Sequence, residues 1–106
     1  MGIVLVLTYG IISEKHAEWE AFYKGKFAKF MTPKNFKGLI SWRVYEQEYG
    51  GVAGTYVEMC EFKSLADYAE MDKNMESKEI EEMFKEWHKM KDPTKPVTKS
   101  IWNTVV

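Results

Sequence analysis

With 106 residues, 45% of them hydrophobic and 29% charged, the chain has room for one hydrophobic core and is short for two, so a single domain over residues 1–106 is expected. Its 15 basic and 16 acidic residues leave a formal net charge of -1, which supplies no long-range field for binding nucleic acid or an acidic membrane. The lone cysteine, Cys60, excludes an intrachain disulfide. The opening run from Ile3 to Leu7 is too short to span a membrane and lacks the marks of a secretory signal, so a cytoplasmic location is expected.

Residues 3 to 9 are β-branched or apolar at nearly every position, so a strand built from them hides both faces and belongs inside a sheet. Ser13 then offers an N-cap for a long amphipathic helix. Along it Ala17, Trp19, Phe22, Tyr23, Phe27, Phe30 and Met31 recur at helical spacing, up to Pro33. Gly25 costs this helix about 1 kcal/mol relative to alanine, which burial of the aromatic stripe offsets, so neither a break nor a hinge is required. Lys24, Lys26, Lys29, Lys34 and Lys37 interleave with phenylalanines and read as a solvated face.

Two β-rich runs follow, residues 39 to 49 and 52 to 62, joined by Gly50-Gly51, a pair suited to a tight hairpin turn. Ser64 with Asp67 and then Ser77 open two helices; in the second, Ile80, Met83, Phe84, Trp87 and Lys91 share a face before Asp92-Pro93 ends it. Residues 97 to 106 are again β-rich and complete the sheet. The expected architecture is an α+β, ferredoxin-like split βαββαβ fold. It has a four-stranded antiparallel sheet with its helices on one face. Yet the strands carry apolar residues in both parities, Ile3, Leu5 and Leu7 against Val4 and Val6, so the bare face needs a cover. Two copies packed sheet to sheet supply one, and a homodimer is expected.

The apolar first strand, the aromatic first helix, Gly38 leading into Leu39-Ile40-Ser41-Trp42-Arg43-Val44, and the passage from Val57 to Leu65 resemble the dimeric α+β barrel superfamily over nearly the whole chain. That group includes the antibiotic-biosynthesis monooxygenases. The resemblance implies a barrel dimer and admits cofactor-free oxygenases, haem-degrading enzymes, isomerases and proteins without known activity. Haem degraders place an asparagine on the first strand and a tryptophan at the end of the third. Here residues 3 to 9 hold no asparagine and the matching late position is Phe62, which argues against haem.

Arg43 is the one arginine among the 15 basic residues, a choice that favours a planar fork meeting a carboxylate or an anionic ligand. A two-residue turn at Gly50-Gly51 sets Arg43 opposite Glu58, Tyr45 opposite Tyr56 and Ser41 opposite Cys60. Trp42, Val44, Val57 and Met59 then fall on the reverse as core. Arg43 is then either half of a structural ion pair with Glu58 or the anchor of a small ligand walled by tyrosines. A cavity lined by Tyr23, Arg43, Tyr45, Tyr56, Glu58 and Phe62 would mark an enzyme or enzyme-like barrel holding a small apolar, aromatic or quinone-like molecule. The same space filled by side chains would mark a non-catalytic ligand-binding or structural dimer.

His88 borders an apolar stripe and reads as a boundary histidine. His16 and Glu20 have helical spacing but no third ligand, and Cys60 lacks a neighbour to activate it. No metal, haem or flavin is expected. RNA binding is disfavoured because residues 52 to 62 lack the basic-glycine-aromatic run of RNA-binding split sheets.

Overall fold

In the computed structural model, which describes residues 2–48, 54–74 and 77–105, the first strand, β1 (Ile3–Gly10), lies inside a four-stranded sheet. The remaining strands are β2 (Leu39–Glu46), β3 (Thr55–Phe62) and β4 (Thr98–Asn103), in the spatial order β2-β3-β1-β4, with every neighbouring pair antiparallel. The central place of β1 follows from its composition, since a strand paired on both edges shelters more apolar side chains than an edge strand does.

A 3-10 turn at Ser13–Lys15 leads into α1 (His16–Phe22), a π-helical turn (Tyr23–Phe27) and α2 (Ala28–Phe30), all in one unbroken rod. Ser13 does not cap it: the residues preceding the 3-10 turn and α1 are Ile12 and Lys15, and neither makes a side-chain cap bond. The rod is also not the uniform α-helix that its spacing suggests. The wider π turn brings Tyr23 and Phe27 into a parallel stack, 4.7 Å between ring centres with planes 4° apart, and both reach Trp42 on β2. Gly25 sits in this turn facing open space, with nothing within 4 Å of where its Cβ would be.

Ser64 and Ser77 do act as caps. The Asp67 amide donates to the Ser64 hydroxyl at 3.2 Å, opening α3 (Leu65–Asn74), and the Ile80 amide to that of Ser77 at 3.4 Å, opening α4 (Lys78–Met90). Both helical layers lie on one face. Ile3, Leu5 and Tyr9 from β1, Leu39 from β2, and Tyr56, Cys60 and Phe62 from β3 form one core with Trp19, Phe22, Ile80, Met83 and Trp87. No helix among the described residues is long and apolar enough to cross a membrane.

The register between β2 and β3 differs from the expected one. Leu39 pairs with Phe62, but an irregularity between Leu39 and Ser41 moves the rest by one residue, so Ser41 pairs with Glu61, Trp42 with Cys60, Arg43 with Met59, Val44 with Glu58 and Tyr45 with Val57. The extra residue is Ile40, and it is exposed. Because side chains alternate along a strand, this offset exchanges the two faces of β2 relative to β3. Trp42 and Val44 join Tyr56, Glu58 and Cys60 beneath the helices, while Arg43 and Tyr45 join Val57 and Met59 on the outer face. The ion pair expected between Arg43 and Glu58 is therefore absent. The Gly50-Gly51 turn itself lies outside the described residues.

Gly38 enters β2 with a φ of +83°, and a Cβ there would fall 2.3 Å from the Asp67 carboxyl carbon. The Ser64 hydroxyl donates to that carboxyl at 3.0 Å, so the close approach ties the start of α3 to the strand entry. Gly38→Ala is expected to cost about 2 kcal/mol or more, from left-handed strain together with displacement of Asp67, read as a lowered urea midpoint at unchanged slope.

Candidate functional site

Glu58 is the one charged residue buried in the core among the described residues, 4% exposed at the middle of β3. Its Oε1 accepts hydrogen bonds from the Tyr9 hydroxyl at 3.0 Å and the Tyr23 hydroxyl at 2.8 Å, and its Oε2 accepts from the Trp42 indole N–H at 2.9 Å. Each donor comes from a different element, so β1, β2, β3 and the π turn converge on one carboxyl. Loss of hydration raises the Glu58 pKa and outweighs the three donors, which pull it down. Burial also raises the Tyr9 and Tyr23 hydroxyls, helped by the Glu58 charge, so both tyrosines stay protonated as donors.

On one side of Tyr23 lies an open cleft of about 440 Å³, bounded by Trp19, Glu20, Tyr23, Lys24, Ala28, Trp42, Val44, Glu46 and Tyr56. On its other side is an inner apolar space of about 70 Å³ that reaches Glu58, Cys60, Phe84 and Trp87. Tyr23 borders both, whereas Glu58 borders only the inner one. The Cys60 thiol is buried there, with its pKa raised by desolvation and then by the Glu58 charge, which leaves it a packed, inert side chain.

At the cleft mouth the Tyr56 hydroxyl contacts Nδ1 of His16, whose Nε2 lies 3.7 Å from Glu20 and 3.9 Å from Glu46. Burial, and then the charges of Glu46 and Glu20, push the Tyr56 pKa up to about 12. Glu20 is held on its other side by Lys24 at 2.6 Å, an exposed pair of little energetic weight. Among the described residues no group of three or more histidine, cysteine, aspartate or glutamate side chains could hold a metal ion.

Of the six residues singled out from sequence, Tyr23, Tyr56, Glu58 and Phe62 lie under the helices. Tyr23 and Tyr56 line the cleft, Glu58 lies behind it, and Phe62 is wholly buried core. Arg43 and Tyr45 are exposed on the opposite face of the sheet and do not join them. Sequence reasoning missed Tyr9, Trp19 and Trp42. The signal for them was a glutamate in the parity of Tyr56, Cys60 and Phe62, which demands buried donors close by. His88 is exposed, and its pKa is lowered by desolvation and by Lys91.

Several solved structures share this architecture. A NIPSNAP family protein from Agrobacterium tumefaciens superposes with a TM-score of 0.78 at 16% identity, covering 99% of this chain and 94% of its own. A Bordetella bronchiseptica protein provisionally named an antibiotic biosynthesis monooxygenase gives 0.75 at 13%, covering 99% and 98%. SnoaB, a cofactor-independent oxygenase from Streptomyces nogalater, gives 0.69 at 9%, covering 97% and 92%. The sequence matches no family model and no curated protein. The chain thus has the α+β fold of these structures; the resemblance read from the sequence covered the antibiotic-biosynthesis monooxygenases among them and did not extend to the NIPSNAP proteins.

Proposed function

We propose that the protein binds a small planar aromatic or quinone-like molecule in the cleft between the first helical rod and β2. The observation that carries this is the composition of the cleft wall. Trp19, Tyr23, Trp42 and Tyr56 form the aromatic part of the wall of an open cleft of about 440 Å³, within the usual size of small-molecule sites. Their rings are fixed by packing, with 4.7 Å between Trp19 and Tyr23 and 5.8 Å between Tyr23 and Trp42, so a flat ligand finds a surface that is already organised. Titration with naphthoquinone-like and simple aromatic compounds should quench tryptophan fluorescence, and Trp42→Leu should weaken binding about tenfold. Binding undiminished in Trp42→Leu would place the ligand elsewhere.

Turnover of that ligand is a second reading, favoured by the raised Glu58 carboxyl. A group that keeps its proton beyond the usual carboxylate range, one hydroxyl away from the cleft through Tyr23, suits acid–base work without a resident cofactor, and SnoaB, of similar fold, is named a cofactor-independent oxygenase. We further infer that a second copy of the chain covers the outer sheet face. Ile40, Tyr45, Met59 and Trp102 are exposed there beside Val4, Val6 and Val57, and among the described residues no helix packs over them. Arg43 and Glu61 also point outward, and among the described residues Arg43 has no ion-pair partner, so a two-fold axis can bring opposite charges together.

A further inference from the structure

We propose that the cleft selects an aromatic ligand carrying a positive charge, a protonated or quaternary amine, and rejects anions. This rests on the cleft being the binding site and adds the ligand's charge. Of the two roles open to Arg43 in the sequence, ion pair with Glu58 or anchor of a ligand, neither falls in the cleft, because its guanidinium lies on the far side of the sheet and contributes no cation here. What lines the cleft instead is two carboxylates, Glu20 and Glu46, with a single ammonium, Lys24. Lys24 is already held by Glu20 at 2.6 Å. Among the described residues the one basic group paired with Glu46 is the His16 ring, 3.9 Å away, and the Glu46 side chain is 60% exposed, so its carboxylate can meet a ligand at the mouth.

The same two carboxylates, added to burial, act on the wall itself. The Tyr56 hydroxyl, which faces this space, keeps its proton up to about 12 partly because Glu46 and Glu20 make a phenolate unfavourable there. An anionic ligand group placed beside Tyr56 meets the same repulsion. The walls add attraction of the opposite kind: Trp19, Tyr23, Trp42 and Tyr56 present electron-rich rings, and a cation near such faces gains most where water is partly excluded. Rings and carboxylates together form the arrangement by which proteins hold quaternary ammonium groups, whereas a neutral ligand uses only the rings.

The test uses three probes of similar size, phenyltrimethylammonium, its neutral isostere tert-butylbenzene, and benzenesulfonate, followed by tryptophan fluorescence and calorimetry on the full chain. The cation should bind about tenfold more tightly than tert-butylbenzene, and benzenesulfonate should not bind measurably. Glu46→Gln should weaken the cation about fivefold and leave tert-butylbenzene unchanged, and added salt should act in the same direction. Equal affinities for cation and neutral isostere, or preference for the sulfonate, would overturn the charge selection while leaving the aromatic cleft intact. No binding by any of the three would reject the cleft as a site, and with it this inference.

Discussion

Glu58→Ala is expected to lower the unfolding free energy by about 3 kcal/mol or more, because it strands two buried donors and one half-buried donor at once. The Tyr9 and Tyr23 hydroxyls and the Trp42 indole N–H all spend their hydrogen bonds on this carboxyl. Each of them left unpaired costs roughly 1–3 kcal/mol, and water entering the vacated space recovers part of it. Glu58→Gln should cost less. Its amide oxygen can still serve the two tyrosines, but its NH₂ then faces the Trp42 N–H, donor against donor. The pH dependence separates the two effects. The folded pKa of Glu58 is raised, so between the ordinary carboxylate value of about 4.3 and that higher value the unfolded chain has released the proton and the folded chain keeps it. Stability due to this group is therefore greatest below that window and falls as pH rises through it. The falling segment should vanish in Glu58→Gln. Urea melts across pH give both quantities. A loss below about 1 kcal/mol in Glu58→Ala would mean that the donors find other partners and that the carboxyl is not the hub of the network.

Val57→Lys is expected to convert a dimer into a monomer at micromolar concentration, with the secondary structure intact. Val57 lies on the inner strand β3, pairing with Thr8 of β1 and Tyr45 of β2 on the face that no helix covers. Four strands of this length present a face of roughly 20 by 25 Å, about 500 Å² in projection, to which the relief of the side chains adds toward the roughly 800 Å² per partner of a standard interface. A lysine at its centre stays solvated in a single chain but is buried without a partner when two sheets meet, and it then opposes Arg43 as well. The expected weakening is a hundredfold or more in the dissociation constant. Sedimentation should report twice the chain mass for the native sequence and the chain mass for the variant, while circular dichroism stays the same. A native chain that is already monomeric and well behaved at these concentrations would refute the sheet-to-sheet dimer.

Most of the fold was legible because it depends on short-range patterns. The apolar run of β1 demanded an interior strand, the Trp19–Tyr23–Phe27 spacing demanded a helix against the sheet, and Ser64 and Ser77 marked where α3 and α4 begin. Each of these signals is complete within one or two turns or one strand. Tyr56 and Glu58 were singled out through a different register, one that set them on a polar, aromatic face with Arg43 and Tyr45, and in the structure they are buried without those two.

The grouping of those candidates was a different kind of question. It turned on one residue, Ile40, whose insertion opposite β3 exchanges the faces of β2, removes Arg43 and Tyr45 from the site and brings in Trp42. Nothing in the local pattern announces that insertion: Trp42 and Val44 read as core in either register, and what the insertion changes is which residues of β3 share their face. The choice is made by how the whole sheet meets the helices: Trp42 reaches Glu58 Oε2 and packs on Tyr23 and Phe27, whereas Arg43 in that place would carry a guanidinium into the same aromatic layer. The π turn was equally silent in the sequence, since the same aromatic spacing fits an ordinary helix, and only packing against β2 widens it. Local spacing determined which elements form. Which side chains meet was decided by the tertiary structure, because in a sheet a shift of one residue changes every neighbour.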